Sequence, residues 1–159
     1  MAKRFLVLLA AAALGAGPAA AQSSGDLLFN GFILGSCTVT VGVAGTLELD
    51  GDGDQLSSQN PGGAPATATI VTTSIGYRVD VDPPAAFTLE PTGGGTGVTF
   101  SASYSATGAT ILNNILAGLL SILGIGTTNL SVHASADRGD AFPPGEYQMP
   151  VTVTCLSIL

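Results

Sequence analysis

Few residues of this sequence have the types and spacing to do chemistry. Asp50, Asp52 and Asp54, in the run Asp50-Gly51-Asp52-Gly53-Asp54-Gln55, have the 1, 3, 5 spacing with which a calcium loop presents hard oxygens to one ion. The rest of that loop departs from the pattern. The sixth position is Gln55 rather than glycine and the twelfth is Pro61 rather than a bidentate glutamate. Clustered Asp and Gly also make ordinary exposed turns. An acidic turn is the plainer expectation, and a calcium site the sharper one. Arg138-Gly139-Asp140 spells the adhesion tripeptide of integrin ligands, but Gly-Asp is likewise plain turn chemistry. His133 falls on the polar side of the alternating run Leu130 to Ala136, where a lone histidine reads as incidental.

The remaining inventory points away from catalysis. The chain has one histidine, two cysteines and, beyond residue 3, no lysine. It has no G-x-S-x-G elbow for a serine nucleophile, and its carboxylates cluster in turns rather than forming a recognisable acid and base pair. No catalytic residue is assigned, and the chain is expected not to be an enzyme.

Met1-Ala2-Lys3-Arg4, the apolar run Phe5 to Leu14 and the small residues Ala19-Ala20-Ala21 have the layout of a secretory signal peptide cleaved between Ala21 and Gln22. The apolar run is shorter than the ~20 residues a membrane-spanning helix needs. The expected destination is the periplasm, the cell surface or the extracellular space. Without residues 1–21 the chain keeps only Arg78 and Arg138 against all 11 acidic residues, a balance that disfavours nucleic acid, whose binding rests on Lys and Arg.

Two cysteines in an exported chain read as one structural disulfide. Both lie in alternating strand-like runs, Cys37 to Val43 and Gly145 to Cys155, in phase with the apolar side. A Cys37–Cys155 bridge would tie the first core strand to the last and close a 118-residue loop, which the chain-entropy model values at about 4–5 kcal/mol.

The elements that position these residues alternate with period two. In Tyr77-Arg78-Val79-Asp80-Val81-Asp82 the apolar residues face in, and Pro83-Pro84 ends the strand. Ala66 to Thr73, Val98 to Tyr104 and Leu130 to Ala136 behave alike. Such strands, punctuated by Gly and Pro, predict an all-β, immunoglobulin-like sandwich of about seven to nine strands over residues 37–159. The expected core is Val39, Val41, Ile70, Val79, Val81, Phe100, Tyr104, Val132, Tyr147, Val151 and Val153. Ile111 to Ile125 stands apart, because residues 112, 115, 116, 119, 120 and 123 follow a helical period. A short helix covering one end of the sandwich is expected there, the alternatives being a pair of buried strands with a turn at Gly118 or an exposed apolar patch for a partner.

Residues 22–36 are apolar on both faces, with Leu27, Phe29 and Ile33 on one of them. Such a segment is either the first strand of its own sheet or a strand given to a neighbour.

Cys37-Thr38-Val39-Thr40-Val41, Gly45-Thr46-Leu47-Glu48-Leu49 and Pro144-Gly145-Glu146-Tyr147 through Val151-Thr152-Val153-Thr154 together resemble small bacterial pilin-like secreted proteins, in particular the spore coat protein U and fimbrial-subunit group. The resemblance implies an immunoglobulin-like sandwich that polymerises by strand addition. The expected function is therefore a non-enzymatic exported surface subunit whose partners are other copies of itself or a related subunit, with Leu27, Phe29 and Ile33 as the assembly residues. The alternative is a monomeric secreted module stabilised by calcium at Asp50, Asp52 and Asp54.

Overall fold

A computed structural model describes residue 31 and residues 34–158 of the chain. Ala21, Gln22, Leu27, Phe29 and Ile33 lie outside the described residues, and with them the expected cleavage site and the expected assembly face. The described part is all β, with ten strands and no helix: β1 Cys37–Val41, β2 Glu48–Leu49, β3 Gln55–Ser57, β4 Ala66–Thr72, β5 Tyr77–Asp82, β6 Thr99–Gly108, β7 Leu112–Leu116, β8 Ser121–Ile122, β9 Gly126–Asp137 and β10 Thr152–Ser157.

The 12-residue β9 is the spine of the larger sheet. One of its edges takes β4, from Ala66 opposite Val132 to Thr72 opposite Gly126, and then β3, with Leu56 opposite Ala136. Its other edge carries β6 along ten residue pairs, from Thr99 opposite Asp137 to Gly108 opposite Thr128. Outside these lie β1 against β4, β2 against β3 and β7 against β6. The second sheet is β10-β5-β8, and every pairing in both sheets is antiparallel.

Apolar alternation accounts for the layering. Ile70, Val79 and Val81 are fully buried, and each such aliphatic side chain contributes roughly 1.5–3 kcal/mol relative to exposure. Tyr104 is buried with them; its hydroxyl lies 2.9 Å from the Leu119 carbonyl and 2.8 Å from Ser121 Oγ, which satisfies the polar group its burial takes from water. Val132 completes the expected residues that are buried. Val39, Phe100, Tyr147, Val151 and Val153 are half-buried, and Val41 is 82% exposed.

Residues 111–125 are not helical. β7 runs antiparallel to β6, turns at Ala117-Gly118, where Gly118 has φ +83°, and continues to β8 in the second sheet. The helical spacing has a local cause. Leu112 stands opposite Ala106 and Ile115 opposite Tyr104, so Asn113 and Asn114 together face the single residue Ser105. This β-bulge adds one residue to the strand and returns two apolar side chains three positions apart to the same face. Farther along, the Gly118 N–H donates to the Val81 carbonyl and the Leu123 N–H to the Tyr77 carbonyl. The segment thus crosses from one sheet to the other and closes that side of the sandwich, while Ile111, Leu116, Leu119, Leu120, Ile122 and Ile125 remain exposed.

Candidate functional site

The opposite side of the sandwich is held differently. β1 is the outer strand of the large sheet and β10 the outer strand of the small one; among the described strands β1 pairs only with β4 and β10 only with β5. The Cys37–Cys155 disulfide joins these two edges, with Cα atoms 6.3 Å apart. From that clasp β1 runs to Val41, and the other strand runs back through Val153 to Val151. Here the sheets part around a groove of about 710 Å³, lined by Val41, Leu56, Val132, Tyr147, Met149 and Val151 among others.

Leu56 and Val132, both buried, belong to β3 and β9 and form the apolar floor. One wall is the stretch 44–47, held to the large sheet by reciprocal hydrogen bonds between Thr46 and Ala64. It runs so close that a Cβ on Gly45 would sit 2.8 Å from the Ala66 nitrogen, so the residue at this position must be glycine. The other wall is 145–151, fixed by an isolated bridge between Leu89 and Gln148. Tyr147 anchors it through edge-on contacts with Phe87 and Phe142, at centroid distances of 5.0 and 5.5 Å. Its hydroxyl donates to the Pro143 carbonyl at 2.7 Å, and burial pushes its pKa up, partly countered by the charge of Arg138.

The exposure of Val41 has its reason here. The residue is in the expected inward phase, but no described strand covers it. Sequence reading gave the phase of the β1 and β10 residues and missed the groove, because alternation reports which face a side chain takes and not whether a neighbouring strand covers that face.

The acidic loop is built as a turn. Asp50 Oδ1 accepts the N–H groups of Gly53, Asp54 and Gln55 at 2.8, 3.1 and 3.2 Å. Burial raises the Asp50 pKa, but these backbone donors outweigh it and hold the carboxyl below its ordinary value. Asp54 is pushed up, by burial and then by the charge of Asp50. Among the described residues no group of three or more His, Cys, Asp or Glu side chains is placed to hold a metal ion. In this structure the run Asp50 to Gln55 is a turn closed by the Asp50 carboxylate.

Arg138 is also engaged, its guanidinium 5.4 Å from the Phe142 ring centroid and Nη1 3.4 Å from the Gly93 carbonyl. The tripeptide it opens is therefore anchored at its first side chain. His133 is hydrogen-bonded through Nδ1 to Ser58 Oγ at 3.1 Å and borders a polar cleft. Among the described residues no helix is long and apolar enough to cross a membrane.

No protein-family model matches the chain, and no curated protein matches it in sequence.

Proposed function

We propose that this chain is a non-enzymatic exported surface subunit, similar to the pilin-like and spore coat protein U group, which assembles by accepting an extended segment of a neighbouring copy into the groove between β1 and β10. The observation that carries this reading is the groove itself. An apolar opening into a sandwich, beside outer strands β1 and β10 that each pair on one side only among the described strands, is what an added strand satisfies. Main-chain hydrogen bonds supply affinity and alternate side chains fill the floor.

The donor in this reading is the segment 22–36, with Leu27, Phe29 and Ile33 directed at the floor made by Leu56 and Val132. Gly45, Thr46 and Leu47, and Gly145, Tyr147, Gln148, Met149 and Val151, residues of two motifs that carry the resemblance, line the groove, which supports this reading. The sandwich would then be immunoglobulin-like and completed by its neighbour. An intramolecular disulfide is compatible with an oxidising destination outside the cytoplasm.

The test compares the chain from residue 22 with one from residue 36 by light scattering. The longer form is expected to assemble, and the shorter to remain a monomer that gains thermal stability on adding a peptide of residues 22–35, since a ligand that binds the native state raises apparent stability. Two monodisperse monomers, with no response to the peptide, would mean that the segment completes its own sheet or plays no part in assembly.

A further inference from the structure

The outer face of the large sheet, turned away from the core and the groove, holds a second cavity. Along β6, Ala102, Tyr104 and Ala106 are buried while Ser101, Ser103 and Ser105 alternate outward. On β9, Val132 and Ala136 are buried while Ser131, His133 and Ser135 take the other phase. Asn114 and Leu116 of β7 and Gln59 border the same face, around an open cleft of about 250 Å³.

We propose that this cleft binds a neutral saccharide, one sugar ring at a time. The open cleft is smaller than the ~300 Å³ and upward that drug-sized molecules occupy, so it takes no more than a single ring. Its lining contains no Asp, Glu, Lys or Arg, so it offers nothing to neutralise a charged ligand. It offers groups that both donate and accept, which is what sugar hydroxyls require.

Several of these groups have no protein partner. Among the described residues the side chains of Gln59, Ser103 and Asn114 make no hydrogen bond, whereas Ser101 and Ser135 bond each other at 2.8 Å and so set one wall. The imidazole is oriented from behind. Ser58 Oγ accepts the Ala134 N–H at 3.1 Å and bonds His133 Nδ1 at the same distance, which leaves Nε2 without a protein partner. Asn114 is presented by the bulge in β7. Its backbone has φ +48°, the positive-φ conformation that among the described non-glycine residues it alone adopts, and its N–H donates to Ser105 Oγ at 3.0 Å. A bulge that re-aims a side chain beside a cleft is a feature associated with binding sites. Leu116, 63% exposed, supplies an apolar edge for the C–H face of a ring. No aromatic platform lines the cleft, so binding is expected in the millimolar range.

The test is saturation-transfer difference NMR on the full chain with glucose, galactose, mannose and N-acetylglucosamine, each at up to about 50 mM, well above a ~1 mM dissociation constant. Glucuronate serves as the charged comparison. At least one neutral sugar is expected to give saturable transfer, and the signal is expected to fall at least about fivefold in Asn114→Gly, which keeps the positive φ available, and in Ser103→Ala. Both variants should melt within about 2 °C of the parent, as surface substitutions do. Silence from all four sugars would overturn the proposal. So would a signal unchanged in both variants, or glucuronate binding as well as the neutral sugars. Strand assembly does not enter this measurement, so the two readings stand or fall separately.

Discussion

Asn114 stands beside Asn113 opposite the single residue Ser105, and its backbone N–H donates to the Ser105 hydroxyl. This pairing sets the geometry of β7, because it brings Leu112 and Ile115 together on the core and holds Asn114 in the left-handed region at φ +48°.

A β-branched side chain is poorly accommodated there. Asn114→Val is expected to lower stability by about 1–2 kcal/mol, and Asn114→Gly to leave it near the parent value. Urea unfolding midpoints check both, and equal midpoints for Val and Gly would remove the strained backbone from the account.

The disulfide is the clasp between the two edges. Non-reduced mass spectrometry should show the chain two hydrogens lighter than its reduced form. The Cys37→Ala, Cys155→Ala double variant should lose about 2–5 kcal/mol of stability, read from denaturant titration. A loss below that range would place the edge-to-edge stability in the packing of Val39 and Val153.

Burial and phase separate at Ile70 and Val41. Ile70→Ala opens a cavity at a fully buried site and is expected to cost about 2–5 kcal/mol. Val41→Ser, at 82% exposure, should stay within about 0.5 kcal/mol for the chain from residue 36. If the groove receives a strand, the same Val41→Ser change should weaken binding of the 22–35 peptide, measured by calorimetry.

The acidic turn has a worked sign. Asp50 has its folded pKa lowered, so its contribution is fully present above the unfolded carboxylate value and is lost as pH falls through the folded pKa. Asp54 has its folded pKa raised, so its ionised form opposes folding at neutral pH. Asp54→Asn should therefore raise the melting temperature at pH 7, and Asp50→Ala should lower it. Millimolar calcium should leave the melt unchanged, because Asp50 Oδ1 closes the turn by accepting backbone N–H groups; a rise would favour the metal site.

Much of the fold was legible in the alternation of β4, β5, β6 and β9, because strands covered on one face write their burial directly as period two. Residues 111–125 misled in part because one extra residue in β7 puts Leu112 and Ile115, three positions apart, on one face, while Leu116, Leu119 and Leu120 in the same pattern are exposed. The groove was not legible, since Val41, Val151 and Val153 carry the same apolar residues whether or not another strand lies over them. The polar cleft was hidden as well. Serines on an outward face are unremarkable in sequence, and only pairing β6 with β9 gathers Ser103, His133 and Asn114 in one place.

The position of β9 bears on the order in which the chain can fold. The pairs β1–β4, β2–β3 and β6–β7 lie wholly before residue 126, but they are joined into one sheet only when residues 126–137 enter between them. The bridge from Cys37 must wait longer, for Cys155. Nearly all the structure therefore depends on contacts distant along the chain, the condition under which folding is slow. The edge of β4 that β9 later covers, with β-branched residues at Thr67, Thr69, Ile70, Val71 and Thr72, would spend that interval open to the wrong partner. The feature that gives the finished sheet its spine is thus also the one that makes its assembly dependent on protection until the last third of the chain is present.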